Sequence, residues 1–290
     1  MHRTVLLNET IEGLNLNPKS LVVDCTFGGG GHSLEICKKY PGVKIIALDQ
    51  DSSAFKNKKT DYKIIFHNEN FRSIERVLEK EGIEQADGII FDLGLSSDQL
   101  ENSGRGFSFL KNEPLLMTLK ANPTSSDLTA QDVVNTWSEK NLSDIIYGYG
   151  EEKFSRKIAK GMVDARQKAK IETTFDLVKI ISGAVPGLYK RGRIHFATRT
   201  FQAIRIAVND ELGALAEGLD KGFKLLKIGG RMSVISFHSL EDRIIKRFFR
   251  EKMAVGEARL INKKVILASD NEVKNNPRSR SAKLRILEKI

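Results

Sequence analysis

A regular alternation of short apolar runs with helix-compatible segments constrains the fold of this chain more than any other sequence feature. Each run is rich in β-branched residues and bounded by charged or turn residues, and successive runs begin 20–25 residues apart. Parallel strands joined by helical crossovers require this spacing. The first four runs are Leu21–Cys25, Val43–Leu48, Lys63–Phe66 and Gly88–Phe91. The sequence therefore predicts a doubly wound α/β sheet.

The alternation stops after Gly94. Residues 101–125 contain two glycines and two prolines, which predicts a long irregular loop, and residues 128–185 carry only helical patterns. We therefore expect a helical insertion within a sheet-forming core. The predicted boundaries are residues 1–105 for the first part of the core, 106–200 for the loop and the helical subdomain, and 201–290 for the second part of the core.

The strand–helix pattern resumes in the last third of the chain. Apolar residues spaced three and four apart from Val208 to Leu226 predict one long helix, which Gly229-Gly230 would end. A core strand is predicted at Met232–Phe237, and the final strands at Arg259–Leu267 and Lys283–Leu287 as an antiparallel pair. These elements would complete the sheet that the first part of the chain begins.

A glycine-rich loop follows the first predicted strand and leads into a helix. The run Gly28–Gly31 permits close approach of the backbone to a ligand, and a helix N-terminus adds the positive end of a dipole. No Gly-Lys-Ser/Thr sequence follows, so a Walker phosphate-binding loop is excluded. A tight turn that binds no ligand remains an alternative interpretation.

Two aspartates end predicted strands on the same edge of the sheet. Asp49 lies about twenty residues after the loop, where it can accept hydrogen bonds from both hydroxyls of a ribose, and both NAD and S-adenosylmethionine present one. Asp92 ends the fourth strand, facing the crevice where a doubly wound sheet binds its ligand. There it can accept a hydrogen bond from a substrate amine. A purely structural strand-end role is the alternative for each.

The charge of the chain favours a polyanionic partner. Lysine and arginine total 47 against 37 acidic residues, which gives a net charge of +10. The excess is concentrated at Lys190–Arg205 and Lys274–Lys289, whereas a solvated surface usually intersperses the two signs. We therefore expect these two segments to contact nucleic acid phosphates.

Cysteine content and hydropathy indicate the cellular location. The two cysteines, Cys25 and Cys37, provide neither a disulfide framework nor a zinc quartet, so we expect no metal and a reducing, cytoplasmic location. No apolar run approaches the ~18 residues of a membrane span, so we expect no membrane partner.

Six segments, in the same order and over nearly the whole chain, resemble the signatures of one enzyme family. They are similar to those of the bacterial small-subunit ribosomal RNA cytosine-N4 methyltransferases, the MraW family. The segments are Asp24–Ser33, Asp92–Ser97, Arg105–Phe109, Ala197–Ala203, Ser236–Arg243 and Asn276–Arg285.

The resemblance implies a class I, Rossmann-like, S-adenosylmethionine-dependent methyltransferase core with an inserted all-helical subdomain. It implies transfer of the methyl group of S-adenosylmethionine to the exocyclic N4 of a cytidine in the decoding region of 16S ribosomal RNA. A paired or stacked base must first be extruded into a pocket, and we expect direct in-line transfer to follow. Free rRNA and the assembled small subunit are both left open as substrates, as is a homodimer.

Site residues are assigned partly by the resemblance and partly by the patterns above. The cofactor-binding residues are Gly30, Gly31, His32, Asp49, Phe71, Asp92 and Gln99, of which Phe71 and Gln99 rest on the resemblance alone. Asp92 is the catalytic candidate, and Ser96 and Ser97 are weaker candidates. The RNA-binding candidates from the two basic segments are Arg191, Arg193, Arg199, Arg278, Arg280 and Lys283.

The chain departs from the family pattern at several positions. Around Asn112, Leu116 and Thr118 it lacks two acids and an arginine that the family usually has, and Phe196 stands where a proline is usual. The cofactor loop is unaffected. Any role of the missing residues, such as ordering the loop over the substrate, would have to be performed by other groups.

Two other functions compete with this interpretation. A methyltransferase for small molecules would not need two basic segments, and one for DNA would more often have prolines where Asp92–Leu95 stands. An RNA-binding assembly factor without catalysis would keep the fold, but the intact Gly30, Gly31, Asp49 and Asp92 argue against it. The role of His238, as a general base or as a structural or RNA-contacting residue, is left open.

Overall fold

Eight strands in the described part of the chain form one sheet. The structure is a computed structural model that describes residues 4–56 and 61–290. The strands are β1 (Leu21–Asp24), β2 (Lys44–Leu48), β3 (Ile64–His67), β4 (Ala86–Asp92), β5 (Leu226–Ser236), β6 (Ala258–Leu260), β7 (Ile266–Leu267) and β8 (Lys283–Lys289). They pair in the order β3-β2-β1-β4-β5-β8-β6, and β7 also pairs with β8.

The first five strands are parallel, which confirms the doubly wound α/β prediction. Val23 of β1 pairs with Ile46 of β2 and Ile89 of β4, and these residues share one hydrophobic cluster. Val22 points to the opposite face, where it joins a second cluster, so the sheet is buried on both sides. The chain order reverses at β1, and a doubly wound sheet binds its ligand in the crevice at such a reversal.

The chain divides into two compact units. The first combines Met1–Gly94 with Leu212–Ile290, and the second is Leu95–Glu211. The helices are α1 (Leu7–Gly13), α2 (Gly31–Lys39), α3 (Ile74–Lys80), α4 (Ser97–Asn102), α5 (Ala130–Thr136), α6 (Glu139–Gly148), α7 (Ser155–Arg166), α8 (Thr174–Ala184), α9 (Gly187–Lys190), α10 (Thr198–Asn209), α11 (Glu211–Leu225), α12 (Ser239–Ala254) and α13 (Asp270–Asn275). Among the described residues, none of these helices is long and apolar enough to cross a membrane.

The second unit is helical, and its helix starts follow capping signals in the sequence. Thr129 and Asp132 form a capping box at α5. Thr173 and Asp176 form a capping box at α8. The unit begins at Leu95 and ends at Glu211, whereas the predicted boundaries of the insertion were 106 and 200.

Three predicted elements differ in the structure. The helix predicted from Val208 to Leu226 is interrupted because Asp210 adopts a left-handed backbone with φ of 47°, which separates α10 from α11. Gly229-Gly230 does not end the helix but lies inside β5, which begins directly after α11. The strand predicted at Arg259–Leu267 is two short strands, and each pairs antiparallel with β8.

The irregular loop predicted at 101–125 lacks regular structure over much of its length but is held by specific hydrogen bonds. The buried Arg105 guanidinium donates to the carbonyls of Thr118 and Leu119 at 3.2 and 2.9 Å. Asn209 accepts from Leu119 N–H and donates to the Met117 carbonyl, both at 2.8 Å. These bonds use backbone atoms of the loop, so they form whatever side chain occupies position 118, where the chain departs from the family pattern.

Candidate active site

Three aspartates lie at the ends of adjacent parallel strands. Asp24 ends β1, Asp92 ends β4, and Asp49 directly follows β2. Parallel strands end at the same edge of a sheet, so these three side chains meet at one crevice. Asp49 and Asp92 therefore stand where the strand pattern predicts, and Asp24 is a third carboxylate that the pattern did not single out.

The glycine-rich loop is shaped by glycines with a left-handed backbone. Gly28 has a φ of 49° and Gly30 a φ of 79°. A Cβ atom on Gly30 would lie 2.5 Å from the Phe27 ring, and one on Gly31 would lie 1.7 Å from Thr4 Oγ1. A larger residue at either position would therefore displace the side chain of Phe27 or Thr4. The loop leads into α2, whose N-terminus carries the positive end of the helix dipole.

Asp49 fastens this loop to the end of β2. Its Oδ2 accepts a hydrogen bond from the Gly28 N–H at 2.8 Å, and its Oδ1 accepts one from the Asp51 N–H at 2.8 Å. Each oxygen keeps a second lone pair, so the carboxylate can still accept two hydroxyl groups. Burial raises the pKa of Asp49 to about 6 despite the two backbone donors.

Asp24 organises the start of the loop. Its Oδ2 accepts from Ser33 Oγ at 2.6 Å and its Oδ1 from the Thr26 N–H at 3.1 Å. Thr26 Oγ1 in turn accepts from the Asp92 N–H at 2.6 Å, which joins the ends of β1 and β4. Burial raises the pKa of Asp24 to about 6. Neither Thr26 nor Ser33 carried a sequence signal beyond its place in the loop.

Asp92 has the least satisfied carboxylate of the three. Its buried Oδ1 has no hydrogen-bond partner in the part of the chain that the structure describes. Burial raises the pKa of Asp92 to about 8, and the negative charges of Asp24 and Glu241 contribute to the rise. A carboxylate in this state gains from any ligand that brings a positive charge or a hydrogen-bond donor.

His32 lies beside Asp92 and is almost completely buried. Its Nδ1 lies 3.7 Å from Asp92 Oδ2, and its Nε2 lies 3.2 Å from the Val5 carbonyl oxygen. A carbonyl oxygen only accepts, so Nε2 carries a proton, and Nδ1 faces Asp92. The imidazole therefore lies between Asp92 and the backbone of Val5.

Phe71 lies in a one-turn 3₁₀ helix, Phe71–Ser73, that follows β3. Its half-buried ring meets the edge of Phe91 at 5.4 Å between centroids. Gly218 of α11 makes room for it, since a Cβ atom there would lie 2.7 Å from the Phe71 ring. A partly exposed aromatic ring is consistent with a stacking surface, but only the family resemblance pointed to this residue.

His238 caps α12, which narrows the roles that the sequence left open. Its Nδ1 accepts from the Glu241 N–H at 3.4 Å, while Glu241 Oε2 accepts from the Phe237 and His238 N–H groups. Its Nε2 lies 3.2 Å from Glu241 Oε1. Nδ1 therefore gives His238 a structural role in the helix cap, whereas Nε2 makes no hydrogen bond with the described residues.

Ser96 and Gln99 form a capping box at α4 in the second unit. Ser96 Oγ accepts from the Gln99 N–H at 3.1 Å, and Gln99 Oε1 accepts from the Ser96 N–H at 2.9 Å. Ser97 is the first residue of that helix and is half-buried. The Ser96 hydroxyl is therefore already engaged in a local role, which makes it a weaker catalytic candidate than Asp92.

The predicted RNA-binding residues differ in how much of their charge reaches solvent. Arg191, Arg193 and Arg280 are exposed, and Arg278 is half-buried. Arg199 donates to the Glu151 carbonyl at 2.9 Å. The candidate Lys283 forms an ion pair with Asp242 at 3.3 Å.

Three further residues of the two basic segments are bound inside the protein, which corrects the expectation that the whole segments contact phosphates. Arg205 pairs with Glu211 through two nitrogens, and Arg285 pairs with Asp242 at 2.8 Å. Lys289 Nζ donates to the carbonyls of residues at the end of α11 and the start of β5, which are Phe223, Lys224 and Leu226.

Both cysteines are buried and free. Burial raises the pKa of Cys25 well above its ordinary value, and it raises that of Cys37 to about 11. Because the thiolate is the reactive form of cysteine, neither residue is set up as a nucleophile at neutral pH.

Comparison with known proteins identifies relatives over the full length of the chain. The family model described as the MraW methylase family matches residues 1–290. A ribosomal RNA small subunit methyltransferase H from Paenibacillus sp. (strain JDR-2) is 43% identical over a 316-position alignment that covers 100% of this chain and 99% of that protein. One from Limosilactobacillus fermentum (strain NBRC 3956 / LMG 18251) is 42% identical, with 100% and 98% covered. A solved structure of an rRNA methylase from Streptococcus thermophilus aligns over 100% of this chain and 99% of its own, with 10% identity and a TM-score of 0.45.

Proposed function

This chain belongs to the MraW methylase family, and we propose that it transfers a methyl group from S-adenosylmethionine to the exocyclic N4 of a cytidine in the decoding region of 16S ribosomal RNA. Membership of the family makes it a methyltransferase. The names of its two bacterial relatives support small-subunit ribosomal RNA as the acceptor. With such a substrate we expect the protein to act in the cytoplasm.

The groups in the crevice of the first unit suit S-adenosylmethionine. Asp49 keeps one free lone pair on each oxygen for the ribose hydroxyls, and Phe71 offers a ring for the adenine. The loop backbone at Gly30 and Gly31, with His32 and Asp92, would hold the methionine part. Gln99 is included on the family resemblance alone. The unpartnered Oδ1 of Asp92 is the observation that carries this proposal, because a cationic ligand with N–H donors would satisfy it.

S-adenosylmethionine supplies an electrophilic methyl group when bound. The N4 amine of cytosine is conjugated with its ring and is a weak nucleophile, so it needs an acceptor for its N–H. Asp92 can provide that acceptor. N4 would gain the bond that the methyl carbon had to sulfur, which leaves S-adenosylhomocysteine, and it would lose one N–H proton, which the Asp92 carboxylate would take up. A pKa of about 8 leaves Asp92 mostly protonated at neutral pH in the free enzyme, and a bound cation favours the carboxylate form that the transfer needs.

The proposal involves no covalent bond between enzyme and substrate. Methylation of carbon 5 of cytosine would need a thiolate nucleophile, and burial keeps both Cys25 and Cys37 protonated. Direct in-line transfer to the amine needs only correct placement of the base. We expect the enzyme to extrude the cytidine from its stack and to bind the flanking phosphates with its exposed arginines.

The test is transfer of a tritiated methyl group onto small ribosomal subunits and onto free 16S rRNA, followed by mass spectrometry of the nucleosides. We expect N4-methylcytidine as the product. Asp92→Ala should lower the turnover rate by several orders of magnitude at saturating cofactor, so cofactor affinity must be measured alongside.

The double variant Cys25→Ala/Cys37→Ala is the matched control, and it should keep most of the activity. A product methylated at carbon 5, or normal turnover by Asp92→Ala, would contradict the proposed chemistry. In the second case the Ser96–Ser97 turn becomes the better candidate.

A further inference from the structure

Residues 188–195 of the second unit form an exposed segment in which apolar and basic side chains are interleaved. Leu188 is 84% exposed and Ile194 is 55% exposed. Lys190, Arg191 and Arg193 lie between them and are exposed as well. Single exposed aliphatic residues are common on protein surfaces. Two of them within one short segment that also holds three cations and no acid are less easily explained by solubility alone.

The segment is anchored at both ends, so its exposure is part of a defined conformation. On one side the Tyr189 hydroxyl donates to the fully buried Glu152 carboxylate, and the Tyr189 ring packs edge-on against Phe154. On the other side Arg199 donates to the Glu151 carbonyl, and the Thr198 N–H donates to the His195 carbonyl. A binding surface held in this way loses little conformational entropy when a ligand docks.

Aromatic rings adjoin the segment. The His195 ring lies parallel to Phe109 at 4.4 Å between centroids with an angle of 7°, and it lies 4.2 Å from Phe196. Phe109 also packs against Phe201, which is buried in the core of this unit, so the stacked rings are held in a fixed position. Leu110, which directly follows Phe109, is 77% exposed. Exposed aliphatic side chains thus directly precede or follow two stacked rings.

We propose that this surface binds an unpaired stretch of the RNA substrate. It consists of Leu110, Leu188, Lys190, Arg191, Arg193, Ile194 and His195. Its cations would contact phosphates, and its apolar and aromatic groups would contact the faces or edges of bases, which is how proteins bind single strands. In a duplex the base faces are hidden by stacking, so a duplex could use only the cations. A nucleic acid fits better than a protein partner because residues 186–208 contain no acidic side chain. The inference rests on the proposed function, which makes RNA the substrate.

Two double variants separate the two kinds of contact. Binding of a single-stranded 16S rRNA fragment, and of the same fragment paired with its complement, is measured at several salt concentrations. Arg191→Ala/Arg193→Ala should weaken binding of both RNAs and lower the slope of log K against log salt by about 1.4 for the single strand, at about 0.7 per phosphate. Leu188→Ala/Ile194→Ala should weaken single-strand binding by about tenfold with an unchanged slope, and should leave duplex binding unaltered.

A matched control removes two positive charges elsewhere in the same unit. Lys140→Ala/Lys160→Ala deletes exposed lysines of α6 and α7 that pair with acids four residues away, and it should change neither affinity nor slope beyond about twofold. Thermal unfolding by circular dichroism checks that every variant is folded.

Three results would overturn the inference. The first is an unchanged single-strand affinity in Leu188→Ala/Ile194→Ala, or an equal weakening for the duplex. The second is a Leu188→Ala/Ile194→Ala variant that no longer binds small subunits but still binds RNA, which would indicate a protein partner. The third is a Leu188→Ala/Ile194→Ala variant that still binds RNA but has a different molar mass in solution by light scattering, which would indicate that the surface binds a second copy of the chain. Methyl transfer by the unmodified enzyme tests the proposed function separately, since single-strand binding can persist without it.

Discussion

At the scale of single residues, the three carboxylates of the crevice differ because their oxygens meet different partners. Asp24 accepts from a serine hydroxyl and a backbone N–H, and Asp49 accepts from two backbone N–H groups. Asp92 has one oxygen with no such partner among the described residues. Burial raises the pKa of all three, but only that of Asp92 reaches about 8. The aspartate with the fewest internal partners is thus the one best able to act on a ligand.

The raised pKa of Asp92 predicts that binding of S-adenosylmethionine depends on pH. A cationic ligand favours the carboxylate, so binding below a pH of about 8 must release the proton that Asp92 holds in the free enzyme. The association constant should therefore rise with pH, by at most about tenfold per unit, and level off above the pKa of the free enzyme. Calorimetric titration from pH 6 to pH 9, in buffers of different ionisation enthalpy, measures both the affinity and the proton released.

Two variants check this assignment. Asp92→Asn cannot ionise, so its affinity should be lower at high pH and nearly independent of pH across the range. Glu241→Gln removes one of the negative charges that raise the pKa of Asp92, so its transition should move to lower pH. A pH dependence in Asp92→Asn equal to that of the unmodified enzyme would assign the proton to another group.

Asp49 allows a second prediction about the cofactor. Asp49→Ala should cost about 2 kcal/mol of S-adenosylmethionine binding, because in the proposed binding mode it removes two hydrogen bonds from ribose hydroxyls to a charged acceptor. The variant also removes the bond to the Gly28 N–H that holds the loop. Asp49→Asn keeps one acceptor oxygen but turns its amide NH2 toward one of the two backbone N–H donors, so it should retain only one of the two backbone bonds. Calorimetry gives the affinities and thermal unfolding gives the stabilities. An unchanged dissociation constant in Asp49→Ala would remove this residue from the site.

Strand-end position was enough to predict Asp49 and Asp92, because the edge of a parallel sheet follows from the strand pattern alone. The environment of Asp92 was not predictable in this way. Its pKa depends first on burial and then on the charges of Asp24 and Glu241, which are far from it in sequence and approach it only in the folded protein. The cap at His238 was equally hidden, since a histidine at a strand end gives no sign of the partner its ring will find.

At the scale of elements, the apolar runs predicted the strands well and the connections less well. Both faces of the sheet are covered by hydrophobic clusters, so its parallel strands β1 to β5 contain apolar runs that the sequence reveals directly. The break between α10 and α11 carries neither glycine nor proline, and it arises at Asp210 in a left-handed conformation. Asn209, next to that break, binds the loop at Met117 and Leu119. Local periodicity contains no information about such a long-range bond.

Asn209 is therefore expected to stabilise the loop. Asn209→Ala removes bonds to two loop backbone groups and should lower the free energy of unfolding by about 1–3 kcal/mol. It should also speed hydrogen exchange at residues 115–119. Asn275→Ala is the matched control, because the Asn275 amide donates to Asn271 within the exposed α13, and it should change stability by less than about 0.5 kcal/mol. Equal effects of the two variants would show that the loop is held by its backbone and by Arg105 alone.

At the scale of the whole molecule, the net charge of +10 overstates the positive charge available to a partner. Arg205, Arg285 and Lys289 are bound to internal acids or carbonyls, and each therefore supports the fold. The sequence could locate the basic segments but could not show which of their cations are bound inside the protein, because the acids and carbonyls that bind these residues come from other parts of the fold. Solvent exposure separates the two groups of cations, and Arg191, Arg193 and Arg280 are the ones that face solvent.

Arg278 and Arg280 give the last prediction, which concerns RNA binding by the first unit. They flank Ser279, which is fully buried and whose hydroxyl donates to the Asn276 carbonyl, so the 3₁₀ turn Pro277–Ser281 is held in place. Arg278→Ala/Arg280→Ala should weaken rRNA binding and lower the slope of log K against log salt by about 0.7–0.9 for each phosphate that the variant no longer neutralises. Affinity for S-adenosylmethionine should not change.

Arg247→Ala/Lys38→Ala removes the same charge from exposed helix faces of this unit, where both residues pair with nearby acids, and it should leave the slope unaltered. A salt slope insensitive to the first pair would mean that these arginines serve only the structure of the C-terminal segment. An equal fall for both pairs would instead mean that RNA responds to the total charge of the molecule rather than to this turn.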